Sequence, residues 1–183
     1  MIYLVTQNEG KVRAANASFL PFGITLYPVE REFEEVQADT SLEIARFTAL
    51  QAAKELNRPA IREDHSLFIN HLGIPGPYTQ YIERKISAEK LLELLKDASD
   101  RSGYFELAAV YAEPDGTYKE FVYTVDIQVK QEIVTPDSPG GWNSILALAN
   151  DTRAFTEYPE SERTHIWQRN FTAIAEYVNE KGS

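Results

Sequence analysis

Residues 104–112, YFELAAVYA, and 118–129, YKEFVYTVDIQV, flank the tetrapeptide Glu113-Pro114-Asp115-Gly116. Both runs are rich in aromatic and β-branched residues and alternate apolar with polar positions. A Pro-Asp-Gly turn between two such runs predicts an antiparallel hairpin over 104–112 and 117–129. A lone hairpin is not stable in water, so these strands must belong to a larger sheet with covered faces. That requirement constrains the rest of the chain.

The remaining sequence supplies strands and helices in alternation. MIYLVT is a short apolar β-type run. Asn8 is a good N-cap for a helix with Val12, Ala15 and Phe19 on one face, stopped by Pro21. GITLYPV reads as a second strand. Thr40 and Glu43 form a capping box ahead of Leu42, Ala45, Ala49, Ala53 and Leu56. PAIRED, at 59–64, gives another strand, and Ser87 caps a short leucine-rich helix. Trp167, Phe171, Ile174 and Val178 share one side of a last helix, headed by His165. The order implies an α/β fold with a mixed sheet.

A chain of 183 residues with 43% hydrophobic content can bury a sizeable core, as one domain or two lobes sharing a core. The formal net charge of −10 argues against a duplex-binding surface, which needs basic residues. It leaves room for a small anionic ligand held by a few lysines and helix N-termini. The absence of cysteine removes disulfides, thiolate catalysis and Cys-ligated zinc, and fits a reducing compartment. MIYLVT is too short and lacks the basic flank of a signal peptide, and no run approaches a membrane span. A soluble, cytoplasmic protein that binds neither nucleic acid nor membrane is expected.

Three segments carry candidate chemistry. VTQNEGKVRAANASF has the form strand, polar loop, Lys11, helix; its helix-start amides and Lys11 could hold phosphate, or it could be a capped helix with a surface lysine. With one glycine it is not a Walker loop. The acidic run REFEEVQADTSLE contains Glu35 between Phe33 and Val36, and is either a solvated charge run or a source of ligands. Glu63 and Asp64 follow a short apolar run, where carboxylates are costly unless solvated, paired or coordinating a metal. Carboxylates at Glu35 and Asp64 would suit Mg²⁺, which takes one or two carboxylates plus substrate phosphates. The histidines, His65, His71 and His165, have no zinc-like spacing.

The order of the motifs resembles the inosine triphosphate pyrophosphatase family, also called the Ham1 family. The matching segments are TQNEGK (Thr6 to Lys11), EVQAD from Glu35, EDHSLFI (Glu63 to Ile69), GIPGPY (Gly73 to Tyr78) and YFELAAVYAEPDG, in register to about residue 130. The resemblance implies an elongated, twisted mixed sheet, with residues 1–183 forming one pyrophosphatase-like domain of two lobes around a central cleft. It implies Mg²⁺-dependent hydrolysis of a nucleoside triphosphate to monophosphate and pyrophosphate, and a homodimer. Position by position, Thr6, Asn8 and Lys11 match the phosphate loop, and Glu35 and Asp64 the metal site. Glu63 and Asp64 match the catalytic acidic pair, whose second member helps activate water.

The chain also departs from that pattern. His65 and Ser66 follow the acidic pair in place of the usual residues. Thr48 stands where the family has a phosphate-contacting lysine, and Glu160 lies near the place of another. Trp142, Asn143 and Ser144 replace the family's Tyr-Asp-Pro near the base. Thr164, His165 and Ile166 replace its Ser-His-Arg. The expectation is a divergent member whose base preference has moved from deaminated purines, with His65, Ser66, Trp142, Asn143, Thr164 and His165 bordering the ligand. A nucleotide-binding protein without efficient catalysis is the alternative. Trp142 could stack on a base or simply pack into the sheet, and His65 faces the ligand or makes a local bond.

Overall fold

The structure, a computed structural model, describes residues 1–29, 31, 33–34, 36–134 and 141–182. Among the described residues seven strands form one sheet: β1 (Ile2–Val5), β2 (Leu26–Val29), β3 (Ala60–Ile69), β4 (Ile74–Gly76), β5 (Ser102–Ala112), β6 (Tyr118–Val129) and β7 (Leu146–Leu148). The order is β2-β1-β3-β5-β6-β7, with β4 on β3. Strand β1 runs parallel to both β2 and β3, while β3–β4 and β6–β7 are antiparallel, so the sheet is mixed. Six helices accompany it among the described residues: α1 (Glu9–Phe19), α2 (Ser41–Leu56), α3 (Thr79–Glu83), α4 (Ala88–Leu94), α5 (Glu160–Trp167) and α6 (Arg169–Gly182).

The expected hairpin is β5–β6. Its turn closes through Glu113 N–H to Thr117 O at 2.8 Å and Gly116 N–H to Glu113 O at 3.1 Å. The Asp115 carboxylate accepts from the Thr117 amide and hydroxyl, and Gly116 takes φ 89°, a value that favours glycine. The three expected N-caps also form. Asn8, Thr40 and Ser87 each accept from the amide three residues on.

The chain divides into two compact units. One comprises Met1–Asp64, Leu107–Tyr123 and Thr164–Ser183; the other comprises His65–Glu106 and Thr124–Arg163. In the first unit, neighbouring strand residues go to opposite faces. Leu4, Ile61, Ala109 and Tyr111 pack with Ala14, Ala15 and Phe19 of α1 and Phe171, Ile174 and Ala175 of α6. Val5, Ala60, Val110 and Ala112 pack with Ala45, Ala49, Ala52 and Ala53 of α2. This period of two buries both faces, which explains why these strands read as near-continuous apolar runs.

In the second unit, the stretch from Leu67 to Ile69 pairs with Ile74–Gly76. Thr79 Oγ1 accepts from Leu67 N–H at 2.9 Å and donates to Gly76 O at 2.8 Å, fixing the bend. Phe68 stacks on Tyr104, with ring centroids 5.0 Å apart. A Cβ on Gly103 would come within 2.3 Å of the Phe68 carbonyl oxygen, so only glycine permits this approach. The Arg101 guanidinium donates to the carbonyls of Leu95, Val129 and Lys130, tying the end of α4 to β6.

Two sequence expectations change. Strand β3 continues past Asp64 to Ile69, so the acidic pair lies within a strand rather than at its end. The last helix is two helices with Gln168 between them; Trp167 ends α5, and His165 lies in the last turn of α5 rather than heading α6. The apolar spacing continues across the break, and periodicity alone therefore does not reveal it.

Candidate functional site

The phosphate-loop candidate leaves the C-terminal end of β1. Asn8 N–H donates to Thr6 Oγ1 at 3.1 Å, and Lys11 N–H donates to Asn8 Oδ1 at 3.1 Å. Thr6 and Asn8 thus shape the loop, and the Asn8 amide is used within it. The amides of Glu9 and Gly10, the first two positions of α1, have no hydrogen-bond partner among the described residues. Helix-start donors of this kind, at the positive end of the helix dipole, suit an anion.

Lys11 turns back onto β3. Its ammonium donates to the backbone oxygen of Glu63 at 2.9 Å and lies 3.9 Å from Glu63 Oε2. The Glu63 side chain is 1% exposed, and Lys11 is 17% exposed. Asn170 Nδ2, at the start of α6, donates to Glu63 Oε1 at 3.2 Å. A buried carboxylate is tolerable only with such partners. The Arg62 guanidinium donates to Val5 O at 3.1 Å, joining the ends of β1 and β3.

The acidic pair does not act as one group. Ile61 packs on the α1 and α6 side of the sheet and Ala60 on the α2 side. Strand alternation therefore puts Glu63 on the face with Ile61 and Asp64 on the other. Glu63 is 2% exposed, whereas Asp64 is half-buried. Among the described residues the Asp64 side chain takes part in no hydrogen bond or ion pair. Its carboxylate is an oxygen donor of the hard type that Mg²⁺ or a water molecule can use. Glu35, the second expected ligand, lies outside the described residues. Among the described residues no three acid or imidazole side chains gather into a metal cluster.

Of the other candidates in this unit, Thr164 is half-buried and His165 is exposed, its Nδ1 2.8 Å from Gln168 Nε2. The Arg169 guanidinium stacks over the Tyr123 ring at 4.2 Å. Thr48 is 1% exposed on α2, and its hydroxyl has no hydrogen-bond partner among the described residues. The Arg46 guanidinium pairs with Glu120, which raises it above its ordinary value through that hydrogen bond.

In the second unit, His65 is half-buried and Ser66 is fully buried. Trp142 is 3% exposed: its Nε1–H donates to Ile86 O at 2.8 Å, and its backbone N–H to Glu83 Oε1 at 2.9 Å. The packed alternative therefore describes this residue, and its ring is not displayed for stacking. Its neighbour Gly141 has φ 53°, and a Cβ there would meet Glu83 Oε1 at 2.5 Å. Asn143 is exposed. Asn170 was the residue that local sequence reasoning missed: an Asn inside an amphipathic helix carries no signal for a partner on a distant strand.

The Ham1 family profile matches residues 2–178. A dITP/XTP pyrophosphatase of Thermococcus kodakarensis is 32% identical over 178 residues, covering 96% of this chain and 94% of that protein. One from Methanosarcina mazei is 37% identical over 169 residues, covering 92% and 90%. The solved HAM1 protein from Coxiella burnetii superposes with a TM-score of 0.80 at 23% identity, covering 98% of both chains, which establishes the shared fold. With a profile match over nearly the whole chain and relatives above 30% identity across it, the chain belongs to the Ham1 family.

Proposed function

We propose that the protein is a nucleoside triphosphate pyrophosphatase that cleaves the bond between the α-phosphorus and its bridging oxygen, releasing monophosphate and pyrophosphate. The observation that carries the reading is Lys11, held by Glu63 beside the open amides of Glu9 and Gly10. The dITP/XTP pyrophosphatases among its relatives support the same substrate class. In this reading the loop amides and Lys11 bind the phosphate chain. Asp64 accepts a proton from the water that attacks the α-phosphorus, and pyrophosphate leaves.

Asp64, with Glu35, would hold a Mg²⁺ ion. A bound divalent cation would neutralise charge on the phosphates. Glu63 is excluded from that set because its oxygens face Lys11 and Asn170. The protein also acts as a homodimer in this reading, which gel filtration with light scattering tests.

The base preference is shifted from the deaminated purines. Ile166, without a polar side chain, stands where the family resemblance expects arginine, and the Trp142 ring is enclosed. The deciding assay incubates nucleoside mono-, di- and triphosphates with Mg²⁺ and measures pyrophosphate and phosphate separately. Pyrophosphate release from triphosphates alone, abolished by Asp64→Asn, is expected. Tight nucleotide binding without turnover would instead favour a binding protein.

A further inference from the structure

We infer that Asn170 is a positioning residue for Lys11, acting through the buried carboxylate of Glu63; the inference rests on the phosphate-loop reading above. Asn170 is fully buried in the first turn of α6, 107 positions beyond Glu63 in sequence. Its Nδ2 donates to Glu63 Oε1 at 3.2 Å, and Glu63 Oε2 lies 3.9 Å from the Lys11 ammonium. A lysine ammonium sits on a flexible stem with several rotatable bonds. Its location therefore depends on the groups it meets, among them the Glu63 carbonyl, which accepts its hydrogen bond, and the Glu63 carboxylate, which faces it as an ion-pair partner. A Glu63 side chain released from Asn170 could rotate, and the ammonium would lose its ion-pair partner while keeping only the backbone carbonyl of that residue.

The frame around the relay is fixed. Lys11 rides on α1 and Asn170 on α6. Ser18 of α1 and Thr172 of α6 share a hydrogen bond at 3.2 Å. One of the two hydroxyls donates to the other, and the remaining one donates within its own helix, Ser18 to Ala14 O at 3.0 Å or Thr172 to Gln168 O at 3.3 Å. Phe19 and Phe171 are buried in the same core cluster. With both helices locked together, the remaining freedom lies in the side chains of the relay.

Asn170 helps to stabilise the buried Glu63 carboxylate, yet asparagine there also carries a cost. The Asn170 Oδ1 atom is buried and has no hydrogen-bond partner among the described residues. A buried acceptor left unmatched is destabilising. An apolar residue would fill the site without that cost, but it could not donate to Glu63 and would leave the buried Oε1 without this donor.

The test combines kinetics with a structural readout that does not need turnover. Protein labelled with ¹³C at the lysine ε-carbon gives one resonance for Lys11, assigned by its disappearance in Lys11→Arg. In Asn170→Ala and in Asn170→Leu, which fills the space without a donor, that resonance should move toward the position of a mobile surface lysine. Asn170→Ser, which keeps a donor, should restore it in part. With ITP and Mg²⁺, KM should rise on the order of tenfold in the Ala and Leu variants, with kcat within about twofold. In a Lys11→Ala background the same substitutions should add no further rise.

An unmoved Lys11 resonance in whichever of the two variants folds would overturn the inference. So would a full KM increase that persists without Lys11, because Asn170 would then act by another route. If the wild-type protein turns over no nucleoside triphosphate, the functional reading fails while the resonance still decides the relay.

Discussion

The Lys11 ammonium lies 2.9 Å from the backbone oxygen of Glu63, a residue 52 positions further along the chain. Strand pairing produces this proximity. Strand β1 runs parallel to β3, with Tyr3 opposite Ala60 and Leu4 opposite Ile61. The same register carries the chain leaving β1 at Val5 alongside Arg62 and Glu63. Helix α1 then starts at Glu9, four residues after Val5, and Lys11 in its first turn reaches the acid. Loops at the carboxyl ends of parallel strands are the usual place for ligand sites in α/β sheets.

Lys11→Ala should therefore have two effects. Loss of a charged contact to phosphate should weaken nucleotide binding by roughly tenfold to a hundredfold, since such hydrogen bonds contribute about 1.5–3 kcal/mol. Glu63 would also lose its cationic neighbour while remaining buried, costing about 1–3 kcal/mol in stability. Calorimetric titration with a non-hydrolysable nucleotide and urea unfolding measure the two effects separately. Unchanged affinity would show that the loop does not hold phosphate.

Trp142 is expected to matter for stability rather than for the ligand. Trp142→Phe keeps most of the buried ring and loses the Nε1–H bond to Ile86 O. The cost should be about 1 kcal/mol, with KM within about twofold of wild type. A tenfold rise in KM at unchanged stability would mean that the indole reaches the substrate after all.

A surface cluster in the second unit adds a small acid-sensitive contribution to stability. Asp151 accepts from Arg153 N, Nε and Nη2 at 2.9, 3.2 and 3.0 Å, and Arg153 also pairs with Glu162 of α5 at 3.0 Å. The Arg153 hydrogen bonds hold the Asp151 carboxyl well below its ordinary value of 3.8. Because the folded-state value is depressed, this contribution is present above about pH 4 and is lost as pH falls further. Asp151→Asn should lower Tm at pH 7, and the gap to wild type should narrow by pH 3. An equal gap at both pH values would assign the effect to the shape of the side chain rather than its charge.

The elements that sequence made legible are those whose causes are local. Asn8, Thr40 and Ser87 cap their helices because each cap involves residues three apart. The β5–β6 hairpin was legible because its turn and alternation are contiguous. Strand β3 was read as ending at Asp64 because Glu63, Asp64 and His65 interrupt the apolar run. Pairing with β1, β4 and β5 overrides that local signal. The opposite orientation of Glu63 and Asp64 follows from the same longer strand. Trp142 remained ambiguous because the residues enclosing it, Glu83 and Ile86, lie far away in sequence. Asn170 was invisible for the same reason.

Base selection is the last expectation, and it follows from Ile166. A site that hydrogen-bonds the edge of a base rejects ligands lacking that edge, and the converse also holds. An apolar side chain where a guanidinium is expected leaves an oxo group of the base without its donor, at a cost of about 1–3 kcal/mol. ITP and XTP should accordingly lose roughly tenfold or more of their kcat/KM advantage over ATP and GTP. Ile166 is half-buried in α5, one residue after exposed His165, so substitution there need not disturb the core. Ile166→Arg should restore part of the preference for ITP while changing ATP turnover little. The measurement is kcat/KM for ITP, XTP, ATP and GTP in wild type and Ile166→Arg. Strong selectivity for ITP in the wild type would refute the shift, and would move attention to His165 or Arg169 as the group that reads the base.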